Sequence, residues 1–493
     1  MKAITKHFTK EHIFLFIILL FIFVMRFPSL FEPFWYGDEG IFAAVARNLN
    51  LGGVLYETAW DNKPPMIYLT YQAIFNVFGV SMFWLRLVTI IAVLTTAAII
   101  YEIAQVTIGV KRALVATFTF GLLTSLRLIE GNLALTEIYM ILPIALAMMI
   151  AIKRKFDYLS LFVAGFLFAV GSLYKQVGAL EAAALGIFLF LESRTFFDFV
   201  KKGFILTIGF LIPYTVAVLY FAPKNLLNDY IFAAYTYYQI YLNESPQYQI
   251  FINISKILPI VAAVGYGIWQ KYKLKKVGVT HLLFLWAAFS LLGSYFSGRT
   301  YGHYLVQAVP AISLLIASIS WPVKLDKART VFAVAFFVPL LILTRLLFSD
   351  FLTGGPINQI RYWQNFIAFA YSDKGLSDYN DFFDRNVNTI MALADSIEKS
   401  GSRGKTIYIW GDFPWLYAVV DAWNPSRYVT SFHVFGVPDG PKEVTSDLNA
   451  NLPELIIKPE HSIGYFKELE MLVATRYTLI AKVETAEVFR LSQ

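Results

Sequence analysis

The sequence predicts a polytopic α-helical membrane protein of about eleven transmembrane helices that ends in a soluble α/β domain. Three observations support this fold class: the composition, a series of long apolar runs, and a change of pattern after residue 348. Hydrophobic residues make up 57% of the 493 residues and aromatic residues 17%, and the mean hydropathy is +0.58. These values lie far above those of soluble domains. The composition therefore excludes a soluble globular protein.

The apolar runs are each about 17–25 residues long, the length that crosses a hydrocarbon core. We place them near residues 11–28, 84–108, 112–128, 136–152, 157–173, 176–192, 203–222, 251–270, 279–297, 303–321 and 328–348. No small-residue cleavage site follows the first run, so we interpret it as a retained span and not as a signal peptide.

Basic residues set the orientation, because Lys and Arg are retained on the cytoplasmic side. With the N-terminus inside, alternate loops carry 18 of the 28 basic residues in the membrane half, all on one side. We therefore predict a multi-pass protein of the plasma (inner) membrane. Its N-terminus is expected in the cytoplasm, and an odd number of spans places the C-terminal domain outside.

The net charge of +7 is unevenly distributed along the chain. Residues 1–348 carry 28 Lys and Arg against 16 Asp and Glu, whereas residues 349–493 carry 13 against 18. The basicity belongs to the membrane half, which argues against a nucleic-acid partner. The chain has no cysteine, so disulfides and thiolate metal sites are excluded.

Two domains follow from these patterns: a membrane domain over residues 1–348 and an extracytoplasmic α/β domain over residues 349–493. The second domain shows a helical pattern near 386–400 and short β-branched runs. We predict strands at Thr406–Trp410, Arg427–Thr430, Leu455–Lys458, Tyr477–Val483 and Glu487–Leu491.

The first external loop, residues 28–83, holds the strongest candidate residues. Asp38 and Glu39 begin a helical pattern whose apolar face predicts a helix lying in the membrane interface, with Asp38 as its N-cap. Farther on, Lys63 precedes Pro64 and Pro65 and an apolar helical run, which places Lys63 at a helix N-terminus. Free N–H groups and an ammonium at such a position attract phosphate.

Each of these residues also has a structural interpretation. Asp38 could serve only as a helix cap, and Lys63 could reach toward lipid headgroups or pair with Asp61. A carboxylate can remove a proton from an incoming hydroxyl, and cations stabilise the charge that grows on a departing phosphate. Together, at the surface of a bilayer, they favour glycosyl transfer from a lipid-linked sugar phosphate.

Four segments then carry a resemblance to a known family. They are the DEG triplet that begins at Asp38, the WDNKPPMIYLTYQAIFNVFG stretch around Lys63, LYKQVGAL around Lys175, and SGRTYGHYLVQAVP around Arg299. In this order they resemble the C-type glycosyltransferase superfamily. Within it the chain is similar to the bacterial protein O-mannosyltransferase and aminoarabinose transferase group, glycosyltransferase family 39 in the broad sense. The resemblance covers about residues 10–348.

The resemblance implies the C-type glycosyltransferase fold and an inverting transferase. Its donor would be a polyprenyl-phosphate sugar drawn from the membrane lipid, and its acceptor a hydroxyl on a lipid, glycan or protein at the outer face. Asp38 would be the catalytic carboxylate, and Glu39 would hold the acceptor or orient the loop. One position departs from the aminoarabinose branch, which has an arginine where this chain has Ile41. That branch's substrate is therefore not carried over.

The other implied site residues fall into two groups. Donor-phosphate binding is expected of Lys63, Lys175, Arg299, Tyr301 and His303. Substrate positioning is expected of Asp61, Glu137 and Tyr304. Arg299 could instead bind a lipid headgroup, and Glu137 could simply face water.

No cofactor is predicted. The six His are scattered and none pairs with acids at metal-ligand spacing. Some relatives use a divalent ion, so metal dependence stays open, although the family closest to this chain suggests that none is required. The competing function is a transporter or flippase of a lipid-linked sugar, in which intramembrane charges would line a substrate path. Here the charges gather in external loops.

Overall fold

A computed structural model describes residues 10–242, 249–299, 301–319, 326–347, 349–459 and 464–492. Helices dominate this part of the chain. In order they are α1 (Lys10–Arg26), α2 (Gly37–Asn50), α3 (Met66–Phe78), α4 (Met82–Ile108), α5 (Val110–Thr124), α6 (Thr136–Lys153), α7 (Tyr158–Ser172), α8 (Ala179–Glu192), α9 (Phe196–Phe221), α10 (Leu227–Ile231), α11 (Tyr237–Leu242), α12 (Gln249–Leu274), α13 (Val279–Tyr295), α14 (Val309–Ser318), α15 (Lys327–Leu347), α16 (Ser349–Ala370), α17 (Leu376–Asp381), α18 (Asn386–Lys399), α19 (Pro414–Val419), α20 (Ser431–Gly436), α21 (Gly440–Ala450) and α22 (Lys467–Arg476). The strands are β1 (Ile407–Ile409), β2 (Leu455–Pro459), β3 (Tyr477–Val483) and β4 (Ala486–Leu491).

A helix occupies each of the eleven apolar runs predicted as spans. By length and composition, five helical segments of the described chain are able to cross a membrane: Lys10–Phe31, Met82–Ile108, Thr136–Lys153, Phe196–Lys224 and Lys327–Arg345. The chain is thus a multi-pass membrane protein, and the number eleven stays a prediction.

The chain divides into two compact units built from interleaved segments. The first unit consists of Met1–Pro28, Val88–Tyr220 and Leu242–Arg361, and the second of Ser29–Leu87, Phe221–Tyr241 and Tyr362–Gln493. The predicted first external loop thus belongs to the same unit as the C-terminal region. The predicted boundary at residue 348 separates membrane from soluble segments and stays a prediction.

The first unit is a helical bundle around one large apolar core. Phe120, Met148, Phe168 and Trp286 are among the buried side chains of this core. Small residues let its helices approach closely, as they do in membrane bundles. At Gly165 on α7, a Cβ would lie 2.1 Å from the carbonyl oxygen of Leu206 on α9, so only glycine fits there.

The second unit contains a four-stranded mixed sheet of order β1-β2-β4-β3. β1 pairs in parallel with β2, and β4 pairs antiparallel with both β2 and β3. One face of the sheet buries Ile407, Ile457 and Val488 against Leu393 of α18 and Leu416 of α19. The predicted α/β character of this region, its helix near 386–400 and four of its five predicted strands are confirmed.

The fifth predicted strand, Arg427–Thr430, is wrong. This stretch runs between α19 and α20, and its only bridge in the described chain joins Tyr428 to Trp60 of the first loop. This β-branched and aromatic run packs on the first loop. A local sequence pattern cannot distinguish such a run from a strand.

Helix α2 does not turn its apolar face to the membrane surface, as the sequence analysis predicted. Phe42, Val45 and Ala46 are buried within the protein, and the Phe42 ring packs edge-on against Tyr68 and Tyr71 of α3. The pattern that indicated a lipid-facing helix reflects packing inside the second unit.

Candidate active site

Asp38 lies in the first turn of α2, two positions after the N-cap that it was predicted to occupy. The N-cap is Tyr36, and Gly37 is the first helical residue, so the prediction that Asp38 caps the helix is wrong. The Trp415 indole N–H of α19 donates to the Tyr36 carbonyl at 3.0 Å and fixes this end. A Cβ at Gly40 would lie 2.8 Å from the Trp415 ring, so the glycine permits this close packing.

The Asp38 carboxylate is available for chemistry. Its side chain is half-buried, and it forms no hydrogen bond or ion pair with any residue that the structure describes. Asp38 thus has the accessibility that a general base needs.

Glu39, its neighbour, lies in the interior of the protein. It is fully buried and forms a bidentate pair with Arg86 at the start of α4, through Nη1 to Oε1 and through Nη2 to Oε2 at 2.9 Å. Arg86 also donates to Glu32 at 2.8 Å. Of the two roles predicted for Glu39, the geometry favours orienting the loop over holding the acceptor.

Glu32 extends this buried network. Its carboxylate accepts hydrogen bonds from the Trp35 indole at 3.0 Å and from the Tyr362 hydroxyl at 2.6 Å. Two acids therefore share one guanidinium, with further donors on the spare oxygens, which is the condition for burying charges without a large penalty. Sequence analysis missed Arg86, although an arginine at the edge of an apolar run is a signal of a specific partner.

Lys63 is held through its peptide groups just before α3. The Tyr56 hydroxyl donates to the Lys63 carbonyl at 2.8 Å, and the Lys63 N–H donates to the Tyr68 hydroxyl at 3.2 Å. The ammonium donates to the side-chain oxygen of Asn62 at 2.5 Å. Helix α3 begins at Met66 with Pro65 as its N-cap, so Lys63 precedes a helix N-terminus as predicted.

Asp61 supports this loop from inside. It is 2% exposed; one oxygen accepts the Asn62 N–H at 2.7 Å and the other accepts the Tyr68 hydroxyl at 2.8 Å. Burial, with the nearby Asp61 charge, raises the pKa of Tyr68 well above its usual value. Tyr68 therefore keeps its proton and links Asp61 to the Lys63 peptide.

His433 of α20 completes this group and was missed by the sequence analysis. It is 2% exposed, and its Nε2 lies 3.4 Å from Asp61 Oδ1. Burial lowers the pKa of His433, opposed by the negative charges of Asp61, Asp38 and Asp412 and reinforced by Lys63. Asp38 and Lys63 thus both contribute to the electrostatic environment of His433.

The first unit holds a second cluster, formed where α6 begins and where α7 is followed by a short turn. Lys175 Nζ donates to Glu137 Oε1 at 2.5 Å, and the Thr136 hydroxyl donates to Glu137 Oε2 at 2.8 Å. The ammonium also lies 3.5 Å from the centre of the Tyr304 ring. Both charged side chains are buried. The structure thus brings three predicted site residues, Lys175, Glu137 and Tyr304, together in a charge-balanced group.

His303 lies beside Tyr304 and binds a different acid. Its Nδ1 is 2.6 Å from Glu130 Oε2, and its ring stacks on Tyr301 with centroids 5.6 Å apart. The ring of Tyr304 meets His303 edge-on at 4.8 Å. Arg299 is half-buried in the loop after α13, where its backbone N–H donates to Ser297 Oγ at 3.3 Å.

The described residues contain no group of three or more His, Asp or Glu side chains placed to hold a metal ion. The expectation that no metal is required stays a prediction.

Three comparisons relate this chain to known proteins: with family models, with curated proteins and with solved structures. The family model of dolichyl-phosphate-mannose-protein mannosyltransferases matches residues 62–221, the segment that contains Lys63 and Lys175. Among curated proteins the chain has no sequence match. ArnT from Cupriavidus metallidurans, solved in the apo state, aligns over 98% of this chain and 98% of its own at 14% identity, with a TM-score of 0.58.

The chain has the C-type glycosyltransferase fold. A second structure of ArnT from Cupriavidus metallidurans, bound to undecaprenyl phosphate, aligns over 97% of both chains at 14% identity with a TM-score of 0.56. The archaeal oligosaccharyltransferase AglB from Archaeoglobus fulgidus, solved with an inhibitory peptide and a dolichol phosphate, aligns at 11% identity over 91% of this chain and 69% of its own, with a TM-score of 0.47.

The C-type glycosyltransferase fold confirms the fold class predicted from the sequence. The alignments with ArnT run from the membrane helices through the C-terminal sheet, since they cover nearly the whole chain. The roles of the individual site residues stay predictions.

Proposed function

We propose that this protein is an integral-membrane glycosyltransferase. It moves a sugar from a polyprenyl-phosphate donor to a hydroxyl group of a lipid, glycan or protein acceptor, with inversion at the anomeric carbon. The reaction takes place at the outer face of the plasma membrane. The N-terminus then lies in the cytoplasm and the C-terminal region outside, as the distribution of basic residues predicts.

One observation carries this proposal: an unpaired carboxylate and a held ammonium in the same unit. Asp38 is half-buried without a hydrogen-bond partner among the described residues, and Lys63 has both of its peptide groups fixed by buried tyrosines. Both charges act on His433. Enzymes stabilise developing charge with groups that are oriented before the reaction begins.

In the proposed step the acceptor oxygen attacks the anomeric carbon while Asp38 removes its proton. The bond between that carbon and the phosphate oxygen breaks, and the phosphate departs with the electron pair. Lys63 stabilises the added negative charge on the phosphate. Asn62 orients the Lys63 ammonium through the hydrogen bond described above, and the Glu39–Arg86 pair fixes the helix that presents Asp38.

The lipid-linked donor is supported by two comparisons. The family model that matches residues 62–221 describes enzymes that use dolichyl-phosphate mannose, and ArnT has been solved with undecaprenyl phosphate. We extend the donor class, a polyprenyl phosphate carrying a sugar, to this chain. Donor-phosphate roles for Lys175, Arg299, Tyr301 and His303, and positioning roles for Glu137 and Tyr304, remain part of the proposal, as does activity without a metal.

The test uses purified full-length protein reconstituted into nanodiscs. The protein is incubated with a panel of radiolabelled polyprenyl-phosphate sugars and with membrane extract as the source of acceptors, with and without a chelator. We expect transfer of label from at least one donor, in both conditions, and its loss in Asp38→Asn.

Two outcomes would contradict the proposal. Transfer by Asp38→Asn at the wild-type rate would remove Asp38 from the mechanism. Movement of an intact labelled donor across proteoliposome membranes, without transfer to any acceptor, would instead identify a transporter or flippase.

A further inference from the structure

His433 reaches the first loop from a distant part of the chain. It lies in α20, where the Thr430 side chain accepts the His433 N–H at 3.3 Å and caps the helix. The preceding stretch pairs with the loop, because the Trp60 N–H donates to the Arg427 carbonyl at 2.9 Å and Trp60 bridges Tyr428. The chain therefore enters α20 already attached to the residue before Asp61.

The imidazole is held in one orientation by packing. The Trp60 ring meets it edge-on, with centroids 5.1 Å apart and planes at 82°, and only 2% of the His433 surface is exposed. A ring enclosed in this way cannot rotate freely. Its two nitrogens therefore have fixed and different surroundings.

The surroundings assign the tautomer. Nε2 lies 3.4 Å from Asp61 Oδ1, whereas Nδ1 is buried without a hydrogen-bond partner in the described chain. A proton on Nε2 points toward a carboxylate, and a proton on Nδ1 would be buried without an acceptor, which is costly. His433 is therefore neutral, with its proton on Nε2 and directed to Asp61.

Hydrogen bonds connect Asp61, which faces His433, to Lys63. Its Oδ2 accepts the Tyr68 hydroxyl at 2.8 Å, and that hydroxyl accepts the Lys63 N–H at 3.2 Å. Its Oδ1, the oxygen that faces His433, also accepts the N–H of Asn62, whose side chain binds the Lys63 ammonium. Each oxygen of Asp61 thus begins one path to Lys63.

We propose that His433 is a positioning residue of the donor-phosphate site, which orients Asp61 and through it the ammonium of Lys63. The inference rests on the proposed role of Lys63 at the donor phosphate. Outer partners of this kind fix the orientation of groups that contact a ligand without contacting the ligand themselves.

The experiment measures binding of undecaprenyl phosphate to purified full-length protein in nanodiscs, which requires neither the sugar nor the acceptor. His433→Ala is expected to weaken binding about tenfold, the order of effect of losing one polar contact to a charged group. His433→Gln is expected to restore most of the affinity, because its amide nitrogen replaces Nε2. His433→Asn is expected to remain weak, because its amide nitrogen replaces Nδ1.

Two further measurements separate positioning from general stability. With a labelled donor that the enzyme accepts, His433→Ala should raise the KM for the donor and leave the KM for the acceptor unchanged. In the Asp61→Asn background, His433→Ala should cause little additional loss of undecaprenyl phosphate binding, because both changes break the same path. His281→Ala provides the matched control, since His281 is a buried histidine of α13 in the first unit.

The outcomes are distinguishable. Binding by the wild type with equal binding by His433→Ala would overturn the inference alone. Equal restoration by Gln and Asn would also overturn it, because the atom facing Asp61 would then not matter. Absence of undecaprenyl phosphate binding by the wild type would overturn the proposed donor, and the inference with it.

Discussion

Two lysines lie beside acids in this molecule, and their surroundings differ. In the second unit, Lys63 is half-buried, its peptide is fixed at both ends, and its ammonium meets the neutral amide of Asn62. In the first unit, Lys175 is 6% exposed and its charge is balanced by Glu137. The two lysines therefore differ in the side chain that their ammonium contacts, an amide for Lys63 and a carboxylate for Lys175.

The acids differ in the same way. Asp38 is accessible and lacks a hydrogen-bond partner in the described chain, while Glu137 accepts from Lys175 and Thr136. A buried ion pair contributes little net stability, but removing one partner leaves an uncompensated charge. We therefore expect changes in the first-loop group to reduce activity first, and changes in the Glu137–Lys175 pair to reduce stability first.

The largest effect is expected from Asp38→Asn. Loss of a general base should lower turnover by about 10²–10⁴-fold, while the thermal unfolding temperature stays close to that of the wild type, because the carboxylate forms no ion pair that would be broken. Single-turnover transfer assays and unfolding in detergent measure the two quantities. If Asp38→Asn unfolds at a clearly lower temperature than the wild type, Asp38 supports the fold. Asp38 and Glu137 would then not differ in their contribution to stability.

The next effect is expected from Glu137→Gln. It leaves the buried Lys175 charge without its carboxylate, at a cost of about 3–5 kcal/mol in the free energy of unfolding. The double variant Glu137→Leu with Lys175→Met removes both charges and should recover most of this loss. Chemical denaturation in detergent measures both. Unchanged stability of Glu137→Gln, together with altered donor binding, would assign the pair to the donor site.

A smaller effect is expected from Lys63→Ala. Loss of a charged hydrogen bond to phosphate is worth about 1.5–3 kcal/mol, which corresponds to roughly 10- to 100-fold weaker binding of undecaprenyl phosphate. Lys405→Ala, which removes an exposed lysine of the same unit, is the matched control and should bind as the wild type does. If both variants bind equally well, Lys63 does not contact the donor phosphate.

The smallest effect is a pH dependence of stability. Because burial lowers the pKa of His433, the folded protein binds fewer protons than the unfolded chain. The stability is complete above the ordinary histidine pKa of about 6.5 and falls as the pH decreases toward the folded value. Wild type should therefore lose more stability than His433→Gln between pH 7 and pH 5.

The comparison of wild type with His433→Gln leaves the other charged groups around His433 unchanged. Asp61, Lys63, Asp38 and Asp412 act on the imidazole and are present in both proteins, so the difference between the two pH profiles isolates His433. Parallel profiles would show that His433 is not protonated on unfolding in this range.

Sequence alone predicted those features that depend on local pattern. Hydrophobic run length placed a helix in every predicted span, and the Lys-Pro-Pro segment placed Lys63 before α3. Where the contact is distant, prediction failed. Asp38 is not the N-cap because Trp415 holds the Tyr36 carbonyl from 379 residues away. Arg427–Thr430 is not a strand because its partner is Trp60.

Arg86 and His433, which the sequence analysis missed, also depend on contacts between distant parts of the chain. Glu39 and Arg86 are 47 residues apart in the sequence, and no periodicity connects an acid at the start of one helix with an arginine at the start of another. His433 stands in a six-residue helix without a motif. Only the folded chain shows that it faces Asp61.

The attachment of the first loop to the C-terminal region also determines when the second unit can be completed during synthesis. The Tyr56 carbonyl accepts a hydrogen bond from Arg427, 371 residues later in the chain. The loop near the start of the chain is translated early, but its supporting segment leaves the ribosome only after every intervening helix has been made. Nascent and prematurely terminated chains are therefore expected to lack the proposed activity, even when their membrane helices have inserted correctly.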